Sequence, residues 1–277
     1  MKSILSTFLL LVGSDAFVVV PNNYRRHGSA ASQVFGWGPD PVWSAGEIKS
    51  NNSANQSEKC IAVTLTIPPK TAQEYTIPGQ YVQVTKDDDT KPLTLAIASS
   101  PDPENARFEF LIKKNDDNAW VTDGSIKISQ VMGKGYPTKE ELDGLQNDFP
   151  CQNVLLFAAG SGIAPIRAAI ESGELKTGKD ARSARLYYGV RTEEDLCFQD
   201  KFIEWEKKGI QVVPVLSRPN ESWEGRTGYI QNALEEDGVP VPRNSGVLLC
   251  GMKGMTEAVT EILTKAGVNS GRILTNF

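Results

Sequence analysis

An apolar run that ends in a glycine turn constrains the fold of this chain more than any other segment. Val154 to Ala159 is apolar throughout, which predicts a strand covered on both faces in a parallel sheet. Gly160-Ser161-Gly162 follows directly and permits a tight turn with close approach of a ligand, because glycine has no Cβ. Residues 163–170 predict a helix that tolerates Pro165 in its first turn. The amides that start such a helix favour a diphosphate, although an ordinary strand–helix turn explains the glycines equally well.

Strands alternate with helices through the rest of the second half. The predicted strands cover residues 184–190, 210–216, 246–250 and 273–274, and the predicted helices cover residues 198–208, 230–236 and 256–266. This alternation predicts an α/β domain over 149–277, in which a parallel sheet carries helices on both faces. Ligands bind at the carboxyl ends of strands in such sheets, and Gly160, Arg218 and Cys250 fall at predicted strand ends.

Short strands separated by turns fill the first half of the chain. They are predicted over residues 42–49, 60–67, 79–84, 93–98, 107–113 and 125–129. Six short strands without a long helical period predict an antiparallel β-barrel domain over 41–148. Met132 to Tyr136 carries two glycines beyond the last of these strands, and either holds the backbone close to a ligand or forms a plain turn.

The N-terminal stretch has the composition of a targeting leader. A lysine, a short apolar core and small residues predict a signal peptide over 1–16. Residues 18–33 contain two arginines but no acidic residue, which predicts a plastid transit segment over 17–40. The Ala16-Phe17 junction resembles the two-part leaders of algae with complex plastids. We therefore expect a chloroplast protein, soluble or peripheral, with a plain secretory signal as the alternative.

Composition excludes several classes of function. The net charge of -5 offers no basic footprint for nucleic acid, and the apolar core of the leader is too short to span a bilayer. The only histidine, His27, lies in the leader, so we expect neither a metal site nor a histidine-based triad in the mature chain. The four cysteines, Cys60, Cys151, Cys197 and Cys250, form no CxxC pair and are expected to be reduced, mostly buried thiols.

The succession of a strand-rich half and a Gly-x-Gly-x-x-Pro half resembles the ferredoxin–NADP reductase superfamily, from about Val42 to Phe277. The matching segments are residues 79–81 and 95–100 beside the flavin, residues 160–165 at the nucleotide diphosphate, and residues 250–255 at the nicotinamide. Residues 95–100 together with 129–136 further resemble a plastid branch of reductase-like proteins. The resemblance implies a barrel that binds flavin and an α/β domain that binds a pyridine nucleotide.

The resemblance also implies particular ligand contacts. The implied flavin contacts are Tyr81, Ala96, Ala98, Ser99, Ser100 and the terminal Phe277, which would equally suit a core. The implied nucleotide contacts are Gly160, Ser161, Gly162, Ala164, Pro165, Ser217, Arg218, Arg226, Tyr229, Gly251 and Met255. Cys250 takes the catalytic position beside the nicotinamide ring, unless it is a plain buried thiol. Arg218 suits a 2′-phosphate and no acidic residue ends the second α/β strand, so NADP is favoured over NAD.

The chain departs from the family where the flavin is held. The family's arginine, variable residue, tyrosine and serine or threonine read here as Leu93, Thr94, Leu95 and Ala96. An acidic stretch over 114–124 stands where the family has a second phosphate-binding turn. Lost charge-assisted bonds, worth about 1.5–3 kcal/mol each, predict that FAD binds weakly. Restoring the arginine at 93 and the tyrosine at 95 is then expected to strengthen FAD binding.

Two functions therefore remain open. The first is an oxidoreductase that passes electrons between NAD(P)H and a flavin or another acceptor in the plastid, with a ferredoxin-like or other redox protein as partner. The second is a non-catalytic nucleotide-binding module, or a subunit of a plastid complex, that has lost its flavin. The intact Gly160 turn and Cys250 segment favour a nucleotide-binding protein in either case.

Overall fold

The computed structural model describes residues 39–121, 124–144, 149–178 and 181–276. The predicted signal peptide, nearly all of the predicted transit segment and the terminal Phe277 lie outside the described residues. Two six-stranded sheets organise the described part of the chain, one antiparallel and one parallel.

The antiparallel sheet forms a nearly closed barrel, as predicted. Its strands are β1 (Ser44–Ser53), β2 (Cys60–Thr66), β3 (Tyr81–Thr85), β4 (Leu93–Ala96), β5 (Arg107–Lys113) and β6 (Gly124–Ile128), in the order β4-β3-β6-β1-β2-β5. Just beyond the edge strand β4, the Ala98 N–H donates to the Glu109 carbonyl of the other edge strand, β5, at 2.8 Å. This bond joins the two edges of the sheet and protects their backbone groups from pairing with other chains.

The alternating pattern of β2 reflects the barrel interior. Ile61, Val63 and Leu65 face inward, where they lie opposite Ile112, Phe110 and Phe108 of β5. The residues between them face outward, and the polar ones among them stay partly exposed. Because successive strand side chains point to opposite faces, this alternation is a direct record of the barrel wall.

The parallel sheet and its helices follow the barrel, as the alternation of strands and helices predicts. Two short helices come first, α1 (Pro69–Glu74) and α2 (Thr138–Glu141), both outside this sheet. The strands are β7 (Asn153–Ala159), β8 (Ser183–Val190), β9 (Ile210–Leu216), β10 (Arg226–Thr227), β11 (Ser245–Cys250) and β12 (Ile273–Thr275), in the order β10-β9-β8-β7-β11-β12. The helices are α3 (Ile163–Glu171), α4 (Gln199–Lys207), α5 (Ile230–Asp237) and α6 (Lys253–Ala266).

Strand β7 is apolar from Val154 to Ala159 because both of its faces are covered there. Leu156 and its neighbours on one face pack in a cluster that contains Ile166 of α3 and Trp205 of α4. Phe157, on the other face, packs in a cluster that contains Leu234 of α5 and Val259 of α6. A central strand between two helical layers has no solvated face, so polar residues are excluded from it.

Several short or polar elements differ from the sequence-based expectation. Helices α1 and α2 and strand β10 are not predicted, because elements of two to six residues are too short to show a period. Strand β1 runs on to Ser53, beyond the predicted end at residue 49, since its backbone continues to pair with β2 while the side chain of Asn52 stays exposed. Helix α6 begins at Lys253, earlier than predicted.

The described part of the chain offers neither a membrane span nor a metal cluster. None of its helices combines the length and the apolar character that crossing a membrane requires. Within the same ranges, His, Cys, Asp and Glu side chains nowhere gather in a group of three or more that could hold a metal ion.

Candidate functional site

The Gly160 turn presents free backbone at the carboxyl end of the central strand. Gly160 is exposed and has a φ of +55°, a conformation that favours glycine, and no atom lies within 4 Å of the position of an added Cβ. The 3₁₀ turn Gly160–Gly162 leads directly into the nine-residue helix α3. Ser161 is half-buried, whereas Ala164 and Pro165 are buried in the first turn of the helix. Backbone amides at this helix start can receive an anionic group from the Gly160 side.

Gly162 also has a packing role, besides the approach of a ligand that the sequence suggests. An added Cβ would lie 2.7 Å from the Cys250 carbonyl carbon and even closer to its oxygen, so no side chain fits between α3 and the end of β11. Gly251 completes this contact, because an added Cβ there would lie 2.9 Å from the Ala159 Cβ and would also strike the side chain of Met255. The ends of β7 and β11 are thus held side by side by residues without side chains.

Cys250 ends β11 and lies beside Tyr136, a tyrosine of the barrel part of the chain. Tyr136 is fully buried, and its hydroxyl donates to the Leu249 carbonyl at 3.1 Å. Burial raises the pKa of the Cys250 thiol to about 12, against the opposite effect of the neighbouring Tyr136 hydroxyl. The thiol is therefore neutral near pH 7, and suits packing and hydrogen bonding rather than nucleophilic attack.

Tyr136 is a residue that the sequence analysis leaves within an unspecified loop. Its ring packs beneath Gly79, where an added Cβ would lie 2.7 Å from a ring carbon. Gly133 similarly lies over the ring of Tyr81, at 2.6 Å from the position of an added Cβ. Gly133 therefore lets the loop pack on the Tyr81 ring, and Gly135 lets it pack on the backbone of Ile77 and Pro78. The only signal of these contacts in the sequence is the spacing of the two glycines.

The residues expected beside a flavin occupy three different environments. Tyr81 and Ala96 are paired across β3 and β4, with Tyr81 nearly buried and Ala96 half-buried. Ala98 is fully buried, and its N–H donates to the Glu109 carbonyl. The Ser99 hydroxyl accepts a bond from the Glu109 N–H at 3.2 Å. Ser100 is half-buried and lines an open cleft together with Ser99.

This cleft lies between the barrel and helix α3, and no pattern in the sequence predicts it. It has a volume of about 490 Å³ and is lined by Lys49, Ser50, Thr64, Ser99, Ser100, Asp102, Asn105, Arg107, Glu109, Arg167 and Glu171. Its basic and acidic side chains are equal in number. Arg167 is largely buried and makes ion pairs with Glu109 at 2.7 Å and Glu171 at 2.9 Å. Arg167 lies on α3 and Glu109 on β5, so their ion pair joins the helix to the barrel, while the pair with Glu171 lies within α3.

Leu93 and Leu95, which stand where the family carries arginine and tyrosine, turn toward the barrel interior. They lie opposite Val84 and Val82 of β3, both of which belong to the barrel core. Leu95 also lines an interior gap of about 10 Å³ beside Phe110. Arginine and tyrosine at these two positions would therefore enter the barrel core, and the orientation of β4 argues against the expectation that they would restore flavin binding.

The residues expected to recognise the ribose phosphate lie beyond β8 and β9. The Ser217 N–H donates to the Val190 carbonyl at 3.0 Å, and the Arg218 N–H donates to the Arg191 carbonyl at 2.7 Å. The side chains of Arg191 and Arg218 are both exposed, at adjacent strand ends. The sequence singles out the position of Arg191 only because no acidic residue stands there, at the end of the second α/β strand.

Two further residues of the expected phosphate pocket differ in their availability. Tyr229 precedes α5 and leaves 59% of its surface exposed. Arg226, in contrast, makes ion pairs with Glu236 and Asp237 of the same helix. Its charge is thus balanced within the protein, which leaves Arg218 as the better-placed cation for an anionic ligand.

Comparison with known proteins agrees with this architecture. The family described as the oxidoreductase NAD-binding domain matches residues 156–261. The fruit protein pKIWI502 of Actinidia deliciosa is 33% identical over 279 residues, which cover 91% of this chain and 84% of that protein. NADH-cytochrome b5 reductase 2 of Meyerozyma guilliermondii is 27% identical over 57% of this chain and 54% of its own length. The anthranilate 1,2-dioxygenase electron transfer component of Acinetobacter baylyi is 24% identical over 69% of this chain and 55% of its own length.

The chain spans just over half the length of the last two relatives. Among solved structures, a ferredoxin NADP+ reductase from Neisseria gonorrhoeae with bound FAD and NADP has a TM-score of 0.67 at 17% identity, over 84% of this chain and 97% of that one. The ferredoxin reductase in carbazole 1,9a-dioxygenase has a TM-score of 0.66 at 18% identity, over 86% of this chain and 70% of that one. The sequence relative along most of the chain, the nucleotide-domain match and the two-sheet fold agree: the chain belongs to the ferredoxin–NADP reductase superfamily.

Proposed function

We propose that the protein is an NAD(P)H-dependent flavin oxidoreductase that passes electrons to a redox protein. One observation carries the proposal: the exposed Gly160 turn, which follows β7, packs against Cys250 and Gly251 at the end of the neighbouring strand β11. Ligands of parallel sheets bind at such ends, and relatives include a dioxygenase electron transfer component and cytochrome b5 reductases. The test is whether purified protein supplied with FAD oxidises NADPH or NADH with ferricyanide as the acceptor.

The residues present suit a pyridine nucleotide. The Gly160 turn can take the diphosphate on backbone amides, and exposed Arg191 and Arg218 suit the additional phosphate of NADP. The neutral thiol of Cys250 can contact the nicotinamide ring without exchanging a proton with it. NADP is therefore the preferred nucleotide in this proposal.

Replacing Arg218 with alanine should weaken NADPH binding by roughly 10- to 100-fold, the loss expected for one or two charge-assisted bonds to phosphate. NADH lacks the 2′-phosphate, so its dissociation constant should change by less than about threefold. The matched control is Arg243→Ala, which removes the same charge before β11 begins, at the opposite edge of the sheet. Titration by nucleotide fluorescence measures all three proteins, and equal losses for NADPH and NADH would show that Arg218 does not discriminate between them.

Cys250→Ser should lower the rate of ferricyanide reduction while leaving its pH dependence unchanged between pH 6 and 9. The reason is that the wild-type thiol, with a pKa of about 12, stays protonated over that range, as a serine hydroxyl does. Rates measured at half-unit steps of pH test this expectation. An inflection between pH 7 and 9 that disappears in the variant would mean that the thiol titrates during turnover.

The flavin site fits FAD only in part. Ala96 and Ser100 remain partly exposed, whereas Tyr81 is covered by Gly133, and the phosphate and ring partners of the family are replaced by inward-facing Leu93 and Leu95. FAD, when bound, supplies an acceptor for hydride that can release electrons singly. The inward leucines favour weak FAD binding, and they are also the observation that supports a nucleotide-binding module without flavin as the second candidate.

We further place the protein in a plastid, on the basis of its N-terminal sequence alone. The apolar core within residues 1–16 and the acid-free, arginine-bearing segment that follows motivate this location. A fluorescent protein fused after residue 40 should accumulate in the plastids of an alga with complex plastids. Removing residues 1–16 from the fusion should leave it in the cytosol. Secretion of the full fusion would instead identify a plain secretory signal.

A further inference from the structure

Two cysteines from different parts of the fold meet in the interior. Cys60 is the first residue of β2 in the barrel, and Cys197 lies between β8 and α4 beside the parallel sheet. Both side chains are buried in the same apolar cluster, at 8% and 1% exposure. The backbone of Ala54 joins the two segments: its N–H donates to the Cys60 carbonyl at 2.9 Å, and its carbonyl accepts from the N–H of Phe198, next to Cys197, at 3.4 Å. The two thiols lie near enough for each to shift the pKa of the other. The pair therefore bridges the barrel and the α/β part of the chain through two sulfur atoms.

Backbone contacts on both sides of the pair hold the two segments in register. The Ser57 N–H donates to the Glu194 carbonyl at 2.9 Å, and the Asn55 side-chain amide donates to the Asp195 carbonyl at 3.3 Å. Lys59, next to Cys60, makes an ion pair with Asp195 at 2.9 Å. Because neighbours of both cysteines are fixed in this way, the approach of the thiols belongs to the fold and does not depend on two flexible side chains.

The two thiols differ in acidity, as a nucleophile and its proton donor do. The neighbouring Cys197 thiol lowers the pKa of Cys60, and the charges of Lys113 and Lys59 lower it further, against burial and Asp195. The neighbouring Cys60 thiol, together with burial, raises the pKa of Cys197. Burial also raises the pKa values of Cys151 and Cys250. Of the chain's four cysteines, Cys60 is thus the one whose pKa is lowered, which favours it as the attacking sulfur.

We propose that Cys60 and Cys197 are a redox site, which a hydroperoxide converts into a reversible disulfide between the barrel and the α/β part of the chain. The Cys60 thiolate attacks one oxygen of hydrogen peroxide, which breaks the O–O bond, forms a sulfenic acid on Cys60 and, with one proton, releases water. The Cys197 sulfur then attacks the Cys60 sulfur, loses its proton and displaces the hydroxyl as a second water. Two thiols are oxidised and one peroxide is reduced to two waters.

A peroxide suits this site better than a protein oxidant does. Both sulfur atoms are covered, so a protein disulfide cannot reach Cys60 without local opening, whereas hydrogen peroxide is little larger than water. Forming the bond requires the two sulfurs to approach to about 2.05 Å. The disulfide would close a long loop and tie the β1–β2 hairpin to the segment before α4, independently of any nucleotide or flavin function.

The test uses the full chain as purified and reduced. After exposure to hydrogen peroxide and alkylation of free thiols, non-reducing peptide mapping should show one cross-linked pair, containing Cys60 and Cys197, that dithiothreitol removes. The melting temperature of the oxidised protein should rise by about 5–10 °C and return on reduction. Cys151→Ala, which leaves the pair intact, should behave as wild type. Cys60→Ser and Cys197→Ser should form no cross-link, with circular dichroism checking that each variant is folded.

The wild-type map decides the proposal even if a serine variant fails to fold. A disulfide that involves Cys151 or Cys250 in place of this pair would overturn it. So would four alkylated thiols after peroxide exposure, or a Cys60 oxidised to sulfinic acid beside an alkylated Cys197, since the second thiol would then have failed to capture the first.

Discussion

Gly162→Ala is expected to lower the free energy of unfolding by about 3 kcal/mol and to abolish most nucleotide binding. The added methyl carbon would lie 2.7 Å from the Cys250 carbonyl carbon. That carbon belongs to the backbone at the end of β11, so it cannot move aside as a flexible side chain could. Relief requires α3 to move away from β11, which separates the Gly160 turn from the Cys250 segment. Urea unfolding and a nucleotide titration measure the two effects.

Gly254→Ala is the matched control for this prediction. Gly254 lies in the first turn of α6, and no atom is found within 4 Å of the position of its added Cβ. The free energy of unfolding should stay within about 1 kcal/mol of wild type and tend upward, because alanine favours a helix over glycine. A Gly162→Ala protein that kept its stability but lost nucleotide would show instead that this glycine makes room for the ligand.

The sheets could be predicted from the sequence because burial leaves a direct record in residue pattern. The run of β7 is apolar because helices cover both of its faces, and β2 alternates because one of its faces lines the barrel. The glycine turn after β7 and the cysteine that ends β11 could be placed at strand ends for the same reason. Each of these inferences needs only the local sequence and one rule of geometry.

The rest depends on contacts between distant residues, which no local pattern specifies. Tyr136 reaches β11 from the barrel, and Arg226 is neutralised by two carboxylates of α5. Gly162 is required by the backbone of Cys250, which follows it by many residues in the chain. The direction of Leu93 and Leu95 is set by the register of β4 on β3, and a shift of one residue would turn both side chains outward.

Protein purified without added cofactor is expected to carry FAD at well below one equivalent. The loss of two or three charge-assisted phosphate bonds, at about 1.5–3 kcal/mol each, lowers affinity by several orders of magnitude. Flavin absorbance after dialysis, followed by titration with FAD, measures this. Stoichiometric FAD held at nanomolar affinity would mean that other residues bind the diphosphate, and no binding at any concentration would favour the nucleotide-binding module.

The orientation of β4 decides which substitution can strengthen FAD binding. Leu93→Arg with Leu95→Tyr should destabilise the protein by about 3 kcal/mol or more without retaining FAD, because it adds a charge and a large ring to the core beside a gap of about 10 Å³. Thr94→Arg is the matched variant: Thr94 is exposed on the outer face, opposite Gln83, so the same charge should cost less than about 0.5 kcal/mol. Only that outward guanidinium can reach a diphosphate outside the barrel, and FAD retention should rise in this variant alone. Retention restored by the double variant would show that β4 changes register when flavin binds.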